Sequence, residues 1–133
     1  MTPLTYALQV QGTLPDSTAA LTALRFARAA LDAGHRVSRV FFYNGGAAIA
    51  NDLAVVEQDE PDLAAQWLQL AHVHDIELTV CVAAGQRRGV LGEAERDRYE
   101  KQAHSLRAGF AIVGLGELID AGIHADRLIT FPA

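Results

Sequence analysis

A second cysteine is missing from this chain of 133 residues, so that Cys81 is its single thiol. An internal disulfide is therefore excluded, and a lone cysteine is typical of a protein kept in a reducing compartment. Apolar runs of the ~20 residues needed to cross a bilayer are missing too. The opening residues, Met-Thr-Pro-Leu-Thr-Tyr, have no basic segment before an apolar one, so no signal peptide is predicted. We therefore expect a cytoplasmic protein that does not act at a membrane.

Positive charge is also scarce, because 11 Lys and Arg residues face 16 Asp and Glu residues, for a net charge of -5. Binding to a phosphate backbone needs a basic face, so direct contact with nucleic acid is not expected. The stretch Asn44-Gly-Gly-Ala-Ala lacks the Gly-Lys-Ser/Thr ending of a phosphate loop, and Ile119 stands where a dinucleotide fingerprint starting at Gly114 needs its third glycine. His72 and His74 would diverge on a helix and make a poor metal pair. Neither a cofactor nor a metal is predicted.

Strand and helix patterns alternate along the whole chain. Apolar runs at 4–10, 37–43, 76–82, 110–113 and 127–131 predict five strands, and helical spacing occupies 21–33, 61–71, 94–106 and 114–122. Such alternation favours right-handed crossovers and a parallel sheet between helices. Half of the residues are apolar, which supplies a core for one domain. We predict a single three-layer α/β domain, residues 1–133, with a mainly parallel five-stranded sheet.

Three segments follow predicted strands and are expected to meet at the carboxyl edge of the sheet, where ligands of such folds collect. They are the turn at 12–17, the glycine-containing loop at 44–51, and Cys81 with the residues after it.

Cys81 ends an apolar run and is followed by Val-Ala-Ala-Gly-Gln-Arg-Arg-Gly-Val. This pattern predicts a buried strand, a turn and a short helix whose first turn carries Arg87 and Arg88. Helix N–H dipoles and two guanidinium groups both favour the thiolate, which is the reactive form of cysteine. The alternative is an inert core residue, since free cysteine is among the most buried residue types.

In five of its segments the chain resembles the DsrE/TusD family of sulfur-relay proteins. These segments are 40–43 (Val-Phe-Phe-Tyr), 50–53 (Ala-Asn-Asp-Leu), 81–90 (Cys-Val-Ala-Ala-Gly-Gln-Arg-Arg-Gly-Val), 114–118 (Gly-Leu-Gly-Glu-Leu) and 126–131 (Asp-Arg-Leu-Ile-Thr-Phe). The resemblance implies a DsrE-like fold and a cytoplasmic sulfurtransferase whose Cys81 carries persulfide sulfur. One branch of the family serves 2-thiouridine formation in tRNA and the other serves dissimilatory sulfur oxidation. The loop at 44–51 is smaller and less polar than family loops that carry a His, a Tyr or an additional Asn, which leaves its role open.

The resulting functional hypothesis is a sulfur carrier that takes a persulfide sulfur onto Cys81 and passes it to a thiol of a partner protein. Arg87 and Arg88 are the candidates for stabilising the persulfide anion. The alternative is a non-catalytic structural or small-molecule-binding subunit in which Cys81 is buried.

The resemblance also implies a hexamer built from related small subunits. Apolar residues near the carboxyl end of the chain fit an interface between subunits: Leu115, Leu118, Ile119, Ile123 and the Phe131-Pro-Ala tail. We expect Cys81 near such a boundary but open to solvent. Whether the hexamer contains one kind of chain or several is left open.

Overall fold

Five parallel strands form one sheet in the computed structural model, which describes residues 2–133. The strands are β1 (Thr5–Val10), β2 (Arg36–Phe42), β3 (Glu77–Cys81), β4 (Phe110–Val113) and β5 (Arg127–Phe131), in the order β4-β3-β2-β1-β5. The helices are α1 (Ala19–Asp32), α2 (Leu63–His74), α3 (Val82–Arg87), α4 (Glu93–Arg98) and α5 (Gly116–His124), and a 3-10 helix covers Asn44–Ala50. The predicted α/β class and the parallel five-stranded sheet are confirmed.

Helices cover both faces of the sheet. On one face, the Phe42 ring meets the Trp67 ring of α2 edge to face at 5.9 Å, and the Trp67 indole donates a hydrogen bond to the Ala20 carbonyl of α1. On the other face, Arg39 of β2 binds Glu117 of α5. Since successive residues of a strand point to opposite faces, Arg39 and Phe42 identify which face each helix occupies. Burial on both faces explains why the central strands are almost wholly apolar.

The chain between β3 and β4 differs most from its prediction. A helix was expected over 94–106, but α4 ends at Arg98, and Glu100 takes a left-handed conformation at φ 55°. The residues that follow make hydrogen bonds outside any helix, since the backbone N–H groups of Ser105 and Leu106 both donate to the Leu91 carbonyl. These long-range hydrogen bonds replace the local ones that a helix would need.

The segment after β2 is also more regular than expected, because the predicted loop at 44–51 is largely the 3-10 helix Asn44–Ala50. This helix packs against β3 and α3, and its alanine and isoleucine side chains are mostly buried. None of the helices within residues 2–133 combines the length and the apolar character required to span a membrane.

Candidate functional site

Cys81 is the last residue of β3 and the residue from which α3 begins. The predicted position at a strand-to-helix junction is therefore correct. Its surroundings differ from the expectation, because Cys81 is only 4% exposed and belongs to the core cluster. The prediction that Cys81 is open to solvent is wrong for the single chain, because Cys81 is packed into the core.

Register identifies two residues that flank Cys81 on its face of the sheet. On β4 the partner of Cys81 is Val113. On the β2 side Phe42 pairs with Val80, so the next residue, Tyr43, lies beside Cys81. The Tyr43 ring is 6.1 Å from the Phe41 ring, which places it on the same face as Phe41 and therefore as Cys81. Both Tyr43 and Val113 are only half-buried, so the thiol lies between two side chains that solvent reaches.

On the opposite face, α3 is pressed against the chain that follows it. A Cβ atom added to Gly85 would lie 2.8 Å from the Val90 carbonyl oxygen and 3.8 Å from a Val80 methyl group. The Val90 N–H in turn donates to the Gly85 carbonyl at 2.8 Å. A glycine at position 85 therefore allows the close approach that fixes α3 at the end of β3.

The two arginines are not where the sequence suggested. The helix begins at Val82, directly after Cys81, so that Arg87 is its last residue and Arg88 follows its end. The prediction that they occupy the first turn is wrong, because no separate turn precedes the helix. Both side chains are exposed, and the Arg88 guanidinium donates to the Ala84 carbonyl at 3.1 Å. At 1.5 Å per residue, Arg87 lies roughly 9 Å along the chain from Cys81.

Two of the three predicted segments meet at the carboxyl edge of the sheet. Residues of 12–17 and of 44–51 line a cleft of about 470 Å³, which Arg107 and Asp62 also border with an ion pair of 3.5 Å. Cys81 lies outside this cleft, contrary to the expectation that all three segments share one site. The 3-10 helix is the reason, because it lines the cleft and also packs against β3 and α3.

Ser105 ties together the segments around α3, and sequence reasoning missed it. Its buried hydroxyl accepts a hydrogen bond from the Leu91 N–H at 3.1 Å and donates to the Gly89 carbonyl. Its carbonyl accepts from the Asp52 N–H at 2.7 Å. A serine in a polar stretch gives no signal for such contacts.

The apolar residues predicted for an interface divide into two groups. Leu115, directly before α5, and Ile119 and Ile123 within it are exposed and recur every four residues, so they form one row, which we call the α5 row. Leu118 packs against the core, and Phe131 contacts the Phe26 ring at 5.7 Å. These last two residues belong to the interior, not to a free surface.

Comparison with known proteins identifies the group to which this fold and this cysteine belong. Residues 5–131 match the DsrE/DsrF-like family. The chain belongs to that family. The match covers nearly the whole chain, including all five strands and Cys81, and it confirms the resemblance drawn from the sequence.

Near full-length relatives within the family have names that describe an activity. The chain is 46% identical over 128 residues to "Sulfurtransferase TusD" of Serratia proteamaculans, covering 96% of this chain and 99% of that one. It is 44% identical over 128 residues to "Sulfurtransferase TusD homolog" of Aliivibrio fischeri, covering 96% and 98%. It is 40% identical over 126 residues to DsrE of Allochromatium vinosum, covering 95% and 97%.

Among solved structures, the YchN protein of E. coli shares the fold, with a TM-score of 0.72 and coverage of 96% of this chain and 99% of that one. The sequence identity is 19%, so the likeness concerns the fold alone.

Proposed function

We propose that this chain is a sulfurtransferase that carries sulfane sulfur on Cys81, as a single sulfur-carrier domain over residues 1–133. The observation that carries the proposal is the near full-length identity of 44–46% to proteins named sulfurtransferases, combined with a chain that offers one thiol. With one thiol, the sulfur cannot be passed on within the chain. It has to be received from one molecule and delivered to another.

The proposed chemistry is two successive thiol exchanges. In the first, the Cys81 thiolate attacks the outer sulfur of a donor persulfide, the S–S bond of the donor breaks, and the donor leaves as a thiolate. The product is Cys81-S-S⁻. In the second, an acceptor thiolate attacks the outer sulfur of Cys81, and Cys81 is released as a thiolate. Neither exchange changes the overall oxidation state or needs a cofactor, and each needs a thiolate that the incoming sulfur can reach.

Arg87 and Arg88 supply positive charge to this site in our proposal. Because Arg87 and Arg88 lie at the opposite end of α3 from Cys81, we assign them a through-space effect on charge, which salt screens. Their exposed side chains can attract an anionic persulfide donor before any covalent step.

The proposed partners are proteins: a persulfide donor, an acceptor thiol protein, and related small subunits in a hexamer. The α5 row gives a reason to expect assembly, because three exposed apolar side chains in line are rare on a small monomer. The names TusD and DsrE of the relatives leave two destinations for the sulfur, tRNA 2-thiouridine formation and sulfur oxidation. We place the protein in the cytoplasm, where its thiol stays reduced.

Intact-mass analysis tests the carrier role. Incubation with a persulfide donor should add about 32 Da, one sulfur, to the protein, and a reductant should remove it. Cys81→Ser must lose the adduct while its thermal unfolding stays close to that of the parent chain. An adduct that persists in Cys81→Ser would contradict the assignment of Cys81.

The 4% exposure of Cys81 favours a second candidate, a non-catalytic subunit with an inert core cysteine. Alkylation separates the two. Stoichiometric labelling of the native protein supports the carrier, whereas labelling only after denaturation supports the structural subunit.

A further inference from the structure

A sulfur donor or acceptor has to reach the Cys81 thiol. The residues around Cys81 indicate which side chains limit that access. Cys81 and Val113 are partners at the ends of β3 and β4, and Tyr43, the residue after β2, continues the register beside Cys81; all three point to the same face of the sheet. Adjacent strands lie about 4.8 Å apart, so the small cysteine side chain sits in a trough between two larger ones. The trough accounts for a buried thiol next to half-buried neighbours.

The helix on this face does not close the trough. α5 packs mainly over β1, β2 and β5, whereas Cys81 and Val113 end β3 and β4 on the other side of the sheet. Leu115, which precedes α5, is half-exposed. Register leaves the side chains beside Cys81 in its own row as candidates for shielding the thiol from the β2 and β4 sides.

Of the two flanking side chains, Tyr43 is the one that can move. Val113 is β-branched and stiff about its only side-chain torsion. Tyr43 directly follows β2 and precedes the 3-10 helix, and its side chain has two torsions about which the half-buried ring can rotate toward solvent. Rotation gives up the packing between the Tyr43 and Phe41 rings, whose centroids are 6.1 Å apart, and requires no change in the backbone of β2.

We propose that the Tyr43 side chain is the movable cover of the Cys81 thiol and determines which sulfur compounds and which reagents reach it. The inference rests on the proposed function, since it names the residue that controls access to the same thiol. In the closed position the ring protects a bound persulfide from small oxidants and reductants, and a docking partner displaces it.

The test is the alkylation rate of Cys81 in the native protein, measured with small, neutral iodoacetamide and with a bulky maleimide. Tyr43→Ala should speed the iodoacetamide reaction roughly tenfold, which corresponds to about 1.4 kcal/mol of barrier. The bulky reagent should gain more, because it needs the wider opening. Tyr43→Phe keeps the ring and should react at the parent rate, and Tyr99→Ala, another half-exposed tyrosine, serves as the matched control.

Two results would contradict the proposal that Tyr43 covers the Cys81 thiol. One is a folded Tyr43→Ala protein that reacts at the parent rate. The other is a Tyr43→Ala protein with a lowered melting temperature whose alkylation is accelerated equally with both reagents. Such a result would indicate a general loss of packing, which does not distinguish a small reagent from a bulky one. The mass assay separates this inference from the proposed function. If Tyr43→Ala speeds alkylation but neither the parent chain nor any variant gains sulfur in the mass assay, the carrier role is wrong and Tyr43 still covers the thiol. If Cys81 gains sulfur but Tyr43→Ala leaves the alkylation rate unchanged, the carrier role is supported and the proposal about Tyr43 is wrong.

Discussion

The Arg39 guanidinium donates a hydrogen bond to the Glu117 carboxylate at 2.9 Å and thereby joins β2 to α5. The same guanidinium donates from Nε to Glu77 of β3 at 2.8 Å, and its side chain is 16% exposed. Burial alone would lower the pKa of Arg39, but the hydrogen bond and charge of Glu77, with the charges of Glu117 and Asp120, outweigh it and raise the pKa. A raised pKa means that this contribution to stability is complete below the ordinary pKa of an arginine and is lost only at higher pH.

Arg39→Gln should therefore lower the free energy of unfolding at neutral pH, by about 1–2 kcal/mol once solvent screening of the half-exposed carboxylates is allowed for. The cause is three acidic groups left without their shared cation. Urea unfolding measures the loss, and high salt should shrink it. Arg36→Gln, at the exposed start of the same strand, is the control and should change little. Equal losses in the two variants would show that the ion pairs add nothing.

Gly85→Ala should destabilise the protein by about 1–3 kcal/mol, because the added methyl group meets the Val90 carbonyl oxygen and α3 has to shift. Gly116→Ala is the matched control, since it also replaces a helical glycine but meets nothing within 4 Å. It should be neutral, or stabilising by up to about 1 kcal/mol. Thermal unfolding of both variants decides the matter, and similar melting temperatures would contradict the close approach of α3.

Replacing Arg87 and Arg88 together by alanine should slow sulfur uptake from an anionic donor by a few-fold at low salt. The same substitution should leave alkylation by neutral iodoacetamide nearly unchanged, because the exposed guanidinium groups act on an incoming anion over a distance that salt screens. When the salt concentration is raised from about 20 mM to about 500 mM, the rates of sulfur uptake by the parent chain and the variant should become equal. A deficit that is independent of salt would mean that the arginines act by contact.

Ile119→Asp should weaken self-association or association with related subunits, because it places a charge in the middle of the α5 row. Sedimentation velocity at micromolar concentration measures the change. Val73→Asp is the control, since Val73 is 68% exposed against 60% for Ile119 but lies on α2, on the opposite face of the sheet. A parent chain that stays monomeric alone and with related subunits would remove the assembly proposal.

Much of the fold could be predicted because its strands are short apolar runs, and the residues between these runs interrupt the apolar pattern visibly in the sequence. The last strand, 127–131, agrees with its prediction at both ends, and the position of Cys81 at a strand end was equally readable. The end of α4 could not be predicted from the sequence. The hydroxyl and backbone of Ser105, within the helix expected there, make hydrogen bonds to residues 14 to 53 positions away. Helical periodicity contains no information about such partners.

The site was predicted less well than the fold, and for a related reason. Arg87 and Arg88 were assigned to a first turn because a turn was expected after the strand, whereas in the structure the helix begins at Val82 and Gly85 lies inside it, against the Val90 backbone. The residues beside Cys81 are far from it in the sequence. Only the strand order and register bring Tyr43 and Val113 beside it.

The position of β5 next to β1 has a consequence for how the chain acquires its structure. Of the five strands, β1 is synthesised before the others and its neighbour β5 after them, and Thr5 and Asp126 exchange hydrogen bonds of 2.8 Å across 121 positions. Until β5 emerges, one side of β1 offers unpaired N–H and C=O groups to any other strand in reach. A nascent chain of this protein therefore has an open edge for most of its synthesis, and closing that edge is the long-range step that folding has to leave until late.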